Sequence, residues 1–583
     1  MPDLQTDIAI IGGGLGGVAA VLAACDAGQR VVLTEATRWL GGQLSSQGVS
    51  ALDEHRYIEQ FGGTRSYMAL RSAIRQHYRD RYGVATMPDG TPLNPGDAWV
   101  SDLCFEPAVG AAVIDAMLAP HVAAGRLVIL RETQVQSVDI SEGRIVALNL
   151  LPALPVGEGS GVRGDTLHAT MVLDATDTGE LLPLAGVDYV VGAEARGDTG
   201  EALAPVVARP GEVQGFTYCF AVEYCAGENH TIAPPPDYGR IRDAQPFTLT
   251  LTDDDGSPRP FAVFARGGTG LSPFWTYRRL MSAEVLGVAR DLALINWNSN
   301  DYHDATIIDV PHAAAAAAHQ AAKHLSLAFL YWLQTACPRD DGGGTGYPEL
   351  RLVPEVMGSA DGLSLAPYIR ESRRIIARHR IVADEILAVG KTSARAQHHA
   401  DSVGIGWYFM DLHPAPGNPR SHFAPTLPFQ IPLGALIPQT APNLLPACKN
   451  IGTTHLSNGA YRLHPVEWTI GEAAGLLAAH CLQREVSPQT LHADGAAVAA
   501  LQEALVARGV PLAWVIDVPD GDPLFAVVQR LAVAGFTMID RVRNRQLTVD
   551  LDAPVNDDER AWLADHGWAR GGATLRAIVG GDP

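Results

Sequence analysis

The sequence predicts an α/β fold, and three observations carry that prediction. Two short apolar runs of β type, Asp7–Ile11 and Arg30–Thr34, flank a helix-forming stretch, Val18–Gly28, rich in alanine and valine. Glycines crowd the point where the first run meets the helix, and Gly28 stands where that helix must stop. Further strand-like runs, such as Met171–Asp174 and Asn443–Lys449, recur later in the chain among helical segments.

The first loop is Gly12-Gly13-Gly14-Leu15-Gly16-Gly17, a GxGxxG pattern through Gly12, Gly14 and Gly17. Gly12 permits a tight turn, Gly14 lets backbone approach a pyrophosphate, and Gly17 lets helix and strand pack closely. The helix that Leu15, Gly16 and Gly17 open turns unpaired N–H groups and positive dipole character toward phosphate. Glu35 closes the second strand about 20 residues after the loop, where a carboxylate accepts ribose hydroxyls and repels a 2′-phosphate. Strand, loop, helix, strand and acid in that order predict a Rossmann-type dinucleotide site.

The next residues, Ala36-Thr-Arg38-Trp-Leu-Gly41-Gly42-Gln43, resemble the glycine-doublet motif of glutathione-reductase-like FAD proteins. Arg38 stands where that motif often has arginine, and Gln43 replaces a second basic residue. The resemblance implies FAD as cofactor, with Ala36, Arg38, Gly41, Gly42 and Gln43 near it. It implies that Leu127–Leu130, Thr133–Val138 and Arg144–Leu148 form a β-meander insertion whose Val135 meets the adenine. It also implies that Met171–Glu180 is a returning strand with Ala175 and Thr176 at the cofactor. Asn443–Lys449 would be another buried strand, running into a turn-rich loop from Asn450 and Ile451 to His455. A helix beginning near Pro465 would then aim its N-terminus at the flavin. The segments FGGTRSY (Phe61–Tyr67), LINWNSNDY (Leu294–Tyr302), YIRESRRI (Tyr368–Ile375), DSVGIGWYFMDLH (Asp401–His413) and PFQIPLGALIP (Pro428–Pro438) are similar to those of a bacterial FAD-dependent oxidoreductase family. That likeness covers most of residues 5–480 and specifies no substrate.

FAD chemistry needs a base near the flavin to take a proton while a hydride leaves, and histidine is the usual choice. His455 has the best address, in the loop before the flavin-facing helix, with Asn458 and Arg462 beside it to bind substrate oxygen or flavin. His413 closes the DSVGIGWYFMDLH segment and is a second candidate. His398, His399 and His303 lie in similar loops. Arg65 and Tyr67 are candidates to anchor an anionic substrate. Asn296, Asn298, Asn300, Asp301 and Tyr302 form a polar cluster suited to hydroxyl-rich ligands. Arg370, Arg373 and Arg374 are spaced along an expected helix, where pairing with Glu371 competes with substrate binding. These features predict a dehydrogenase or oxidase acting on a polar small organic substrate, with flavin reoxidised by O2 or another acceptor. A monooxygenase using transient NAD(P)H is the alternative.

At 583 residues, 47% hydrophobic and 18% charged, the chain has globular composition and material for two or three domains. The FAD domain is expected from residues 1–50, 100–200 and 425–485, and an α+β cap or substrate domain from 51–99 and 201–424. Residues 486–583 would be a small α/β appendage, with helices at Ala496–Arg508 and Asp522–Ala534 joined by short strands. A net charge of −21 disfavours nucleic acid and anionic membranes as partners. The apolar runs are too short to span a bilayer, and the N-terminus lacks a basic leader, which predicts a cytoplasmic protein. Seven scattered cysteines without a CxxC pair predict free thiols and no metal centre. The glycine-rich stretch Pro338–Pro348 follows no apolar strand and is not a second nucleotide loop. A homodimer is compatible with the chain but nothing in it demands one.

Overall fold

The computed structural model describes residues 4–152, 165–252, 256–266, 271–539, 545–568 and 571–580. Its main sheet has seven strands. β1 (Leu4–Ile11) lies between β2 (Val31–Glu35) and β6 (Thr166–Asp174), and β3 (Leu127–Arg131) lies outside β2. These strands run parallel, with Ile8 opposite Val31 and Met171 and with Leu33 opposite Ile129. Leu444–Pro446 adds a further parallel strand beside β6. β4 (Thr133–Ser141) and β5 (Arg144–Pro152) continue from β6 in antiparallel fashion.

The predicted meander therefore needs correcting. Leu127–Leu130 is not part of it but forms the outer strand of the parallel layer. The nearly continuous apolar run of β3 suits pairing against the equally apolar β2, and its partner lies almost 100 residues earlier, beyond the reach of local patterning.

α1 (Leu15–Asp26) packs on this sheet together with the long helix His464–Arg484. Small residues bring the two helix backbones together. A Cβ on Gly471 would stand 1.9 Å from the Gly16 carbonyl oxygen, so only glycine allows this approach. The rows of alanine along both helices are fully buried.

A second sheet, with strands in the order Arg279–Met281, Leu292–Ile295, Phe220–Tyr224, Leu350–Leu352, is antiparallel throughout. The helix His312–Thr335, which contains the alanine run, covers it with an aromatic-rich core around Phe220, Phe329 and Trp297. α2 (Arg65–Tyr82) and α3 (Pro107–Ala123) precede β3.

Two more expectations change. The stretch after Ile451 is not a loop up to Pro465, because His455–Tyr461 forms its own short helix. Thr454 caps it, accepting the Ser457 amide while Ser457 returns a contact to the Thr454 amide, a reciprocal pair that starts a helix even in seven residues. Residues 486–580 show helices, including Gly495–Ala507 and Phe525–Val533, and no strand among the described residues. Their apolar faces (Leu501, Leu505, Trp514, Val528) join the same core as β1 and α1, which satisfies them without a sheet. All seven cysteines are free and buried. No helix among the described residues is long and apolar enough to cross a membrane.

Candidate functional site

β1 ends at Ile11, and the chain turns into α1 through Gly12, whose φ of +102° excludes a side chain without strain. A Cβ there would also lie 2.3 Å from the Ala175 carbonyl oxygen. A cavity of about 270 Å³ runs along this turn. Gly12, Gly14, Glu35, Ala36, Val135 and Thr176 line one part, and Ser46, Ala366 and Ile369 line its far end. The tip of β2, the glycine loop and the segment 366–369 thus border one cavity.

Glu35 is buried at the tip of β2. One carboxylate oxygen accepts the Gly13 amide at 2.9 Å, and the other accepts the amide and hydroxyl of Thr37 at 2.8 and 2.7 Å. Burial pushes its pKa up to about 7, against those hydrogen bonds. At the end of β6, Asp174 folds the Ala175–Thr176 turn by accepting the Thr176 amide at 3.0 Å, the Thr176 hydroxyl at 2.7 Å and the Leu181 amide at 3.1 Å. That turn forms the wall opposite Glu35.

Beneath the loop lies a sealed polar group. Glu467, one turn into the His464–Arg484 helix, faces the α1 N-terminus, with the Gly16 amide 3.5 Å from its Oε1. Lys449 Nζ sits 3.4 Å from Glu467 and donates to Asp177 at 2.7 Å, and these carboxylates hold its ammonium charged despite burial. Gln43 donates through Nε2 to Glu467 and to the Arg462 carbonyl, leaving its buried Oε1 without a partner among the described residues.

Further inward, a cluster of ion pairs joins four remote segments. Arg370 donates to Asp301 at 2.9 Å. The same carboxylate receives His413 Nδ1 at 2.6 Å, and His413 Nε2 lies 3.3 Å from Asp411. Asp411 in turn pairs with Arg462 at 3.1 Å, and Arg462 donates to the Tyr368 hydroxyl at 3.0 Å. Despite burial, the carboxyl of Asp301 is held well below its usual range by Arg370 and His413, and that of Asp411 by His413 and Arg462. Beside this chain, Arg278 pairs with Asp53 at 2.9 Å. His464 accepts the Asp53 amide at 3.1 Å and donates to Val49 at 3.0 Å, and burial lowers its pKa to about 4.

The cluster is not self-satisfied. Nε of Arg278, Arg370 and Arg462 and Oδ1 of Asn458 are buried and lack partners among the described residues. Buried polar atoms are nearly always paired, so a concentration of orphans marks a place built for a ligand. With the open wall at the glycine loop, they fit FAD: the loop and Glu35 for the diphosphate and adenosine half, and Gln43, Asn458 and the arginines for the polar edge of the flavin or a substrate above it.

The sequence candidates divide clearly. Gly12, Gly14, Glu35, Ala36, Val135, Ala175 and Thr176 line the cavity, while Leu15, Gly16 and Gly17 open α1 and are not in its lining. Gly41 and Gly42 both adopt positive φ, and Gly42 rests against Gly14. Arg38 lies exposed over Trp39, away from the cavity lining. Asn450 instead braces the sheet, accepting the Cys448 amide and donating to the Asp174 carbonyl, and Ile451 is buried in the core. His413, Asn458 and Arg462 meet in the inner cluster. His455 lies one helical turn away from Asn458, its Nδ1 on both oxygens of Glu371 at 3.0 and 2.9 Å. Burial works against its charge, but Glu371 holds its pKa above the ordinary value. Arg374 completes that network with Glu371 and Glu194. Arg65 pairs with Asp520 at 2.6 Å and Tyr67 with Glu54, so neither faces the cavity. Asp53, Arg278, Asp411 and Lys449 escaped the sequence reading. Asp411 alone had a signal, two residues before His413 in the same segment.

A family model described as FAD dependent oxidoreductase matches residues 7–505. Among solved structures, the quinol fumarate reductase FrdA E245Q variant of E. coli is similar at 12% identity, covering 87% of this chain and 74% of that one, with a TM-score of 0.31. The L-proline dehydrogenase of P. horikoshii is similar at 10% identity over 83% and 95% of the two chains, TM-score 0.29. The anhydrotetracycline hydroxylase OxyS of Streptomyces rimosus is similar at 12% identity over 95% and 77%, TM-score 0.31. Likenesses this distant assign no reaction. No curated protein matches the chain.

Proposed function

The chain belongs to the FAD dependent oxidoreductase family, and from that premise we propose that it is a dehydrogenase or oxidase of a small polar organic substrate. The substrate loses a hydride and a proton, and the flavin is reoxidised by O2 or another acceptor. The observation that carries this reading is the inner cluster, where a carboxylate-flanked histidine stands among buried guanidinium donors that lack partners.

Bound in the cavity, FAD supplies the two-electron acceptor. The other roles fall to side chains. Asp301 holds His413 by Nδ1–H and fixes the ring, as a carboxylate orients a general base. Nε2 of His413 faces Asp411 at 3.3 Å, so the substrate proton is taken up by the His413–Asp411 pair, with the ring held between two carboxylates. The free Nε–H groups of Arg370 and Arg462 hold the substrate oxygen, and Oδ1 of Asn458 accepts from it. His455, closed onto Glu371, positions the short helix that carries Asn458.

Anaerobic mixing tests the reading. Substrate screening against alcohols, hydroxy acids and amines, without nicotinamide, is expected to bleach the flavin band. Bleaching by NADPH, with none by any substrate alone, would favour the monooxygenase alternative and defeat the proposal.

A further inference from the structure

A recess of about 420 Å³ opens on the surface beside the inner cluster, lined by His55, Arg56, Trp99, Trp407, Tyr408 and Phe409. Its wall is rich in aromatic rings, with Trp99 stacked on Phe261 and Phe409 on Phe423. Trp99 and Phe409 are each 44% exposed at its mouth, an unusual outlay of apolar surface unless something covers it. Trp407 is fixed in place: its indole N–H donates to the Thr426 carbonyl at 3.0 Å, and the Arg56 guanidinium lies 4.8 Å over its ring. Tyr57 stacks with it at 5.8 Å.

Two chain segments run from this recess straight into the cluster. Glu54, His55 and Arg56 line it, and the preceding Asp53 pairs with Arg278. Trp407, Tyr408 and Phe409 line it, and the same segment continues to Asp411 and His413. Tyr408 lines the recess three residues before Asp411, which pairs with Arg462 in the cluster. The polar groups of the wall are mostly engaged already, Glu54 with Arg71 and Tyr67, and Ser101 with the Leu103 carbonyl. Aromatic rings make up much of the wall, with the exposed Arg56 guanidinium and the unpartnered Nε2 of His55 among them and further donors lying inward.

We infer that this recess binds a planar aryl carbinol, its ring packed against Trp99, Trp407 and Phe409 and its CH–OH group directed inward toward Tyr408 and Arg278, the hydrogen on the carbinol carbon being the one that leaves as hydride. The inference rests on the oxidoreductase reading above and names the substrate class of that same site.

The test uses the full-length, FAD-loaded protein titrated with 2-naphthol, an analogue that has no carbinol hydrogen and so binds without reacting, and, separately, with its saturated counterpart decahydro-2-naphthol. Tryptophan fluorescence and the flavin absorption bands are recorded together. Expected results are saturable quenching and a band shift with 2-naphthol, and at least tenfold weaker binding of the saturated alcohol. Trp407→Ala is expected to weaken 2-naphthol binding at least tenfold with FAD content unchanged, and Trp407→Phe to stay within threefold. Should Trp407→Ala fail to fold, Trp99→Ala at the exposed mouth is expected to weaken binding at least threefold. Unsaturable binding, equal binding of both alcohols, or unaltered affinity in the tryptophan variants overturns the inference. A protein that quenches with 2-naphthol yet holds no FAD sinks the oxidoreductase reading instead, which separates the two failures.

Discussion

Replacing two glycines of the same loop with alanine separates cofactor binding from packing. Gly14 has an ordinary φ of −65°, and a Cβ there meets nothing nearer than Glu467 Oε1 at 3.5 Å. Gly14→Ala is therefore expected to cost stability less than about 1 kcal/mol, the scale of a weaker helix N-cap. A Cβ on Gly17 would stand 2.0 Å from the Gly12 carbonyl oxygen, more than an ångström inside normal contact. Gly17→Ala must push strand and helix apart, at a cost of about 1–3 kcal/mol or more for an overpacked core. Gly14 lines the cavity, so its added methyl takes space needed by the diphosphate. FAD affinity of Gly14→Ala is expected to fall about 10- to 100-fold, roughly 1.4–2.8 kcal/mol. Thermal unfolding of the FAD-free proteins and fluorescence titration with FAD read the two effects. If Gly14→Ala binds FAD like the parent, or unfolds as readily as Gly17→Ala, the assignment of the diphosphate to this loop is refuted.

Three other outcomes follow from the site. The Glu35 carboxyl has a raised pKa in the folded chain, so its neutral form is the favoured one there. Its contribution is full below about pH 4.5 and is lost as pH rises toward about 7, by roughly 3 kcal/mol at about 1.4 kcal/mol per unit. The stability advantage of the FAD-free parent over Glu35→Gln should shrink between pH 5 and pH 8 in chemical denaturation, and a constant difference contradicts it. His413→Asn should lower kcat about 100- to 10,000-fold while FAD stays bound, as expected for loss of a general base; unchanged kcat removes His413 from that role. Arg370→Met leaves Asp301, which is fully buried, without its guanidinium and should cost about 3–5 kcal/mol in denaturant unfolding. Arg370→Met combined with Asp301→Asn should recover much of that loss.

The glycine turn and the acid beside it were legible because their signals are local. Gly12, Gly14 and Gly17 announce themselves by spacing, and Glu35 by ending the next strand. The helix His455–Tyr461 escaped because its start depends on one capping pair within a seven-residue segment, too short for a periodic pattern. β3 was misplaced because nothing in Leu127–Leu130 encodes which strand it joins. The inner cluster is the least legible part. Asp301, Arg370, Asp411 and Arg462 meet across 69 and 51 positions of sequence, and an aspartate or arginine reads the same in a solvated loop as in a buried ion pair. His413 could be named as a candidate, but only the fold shows that two carboxylates hold it. Arg65 and Tyr67, by contrast, looked like anchors and turned out to pair with Asp520 and Glu54.

The central claim is that an open glycine turn, an acid at the β2 tip and unpartnered polar atoms beyond them are one continuous seat for FAD. Absorbance of the purified, desalted protein, with release of the bound pigment by heat and its identification, tests this most directly. One FAD per chain, lost in Gly14→Ala and retained in His413→Asn, is the predicted result. A colourless protein that takes up no added FAD contradicts it.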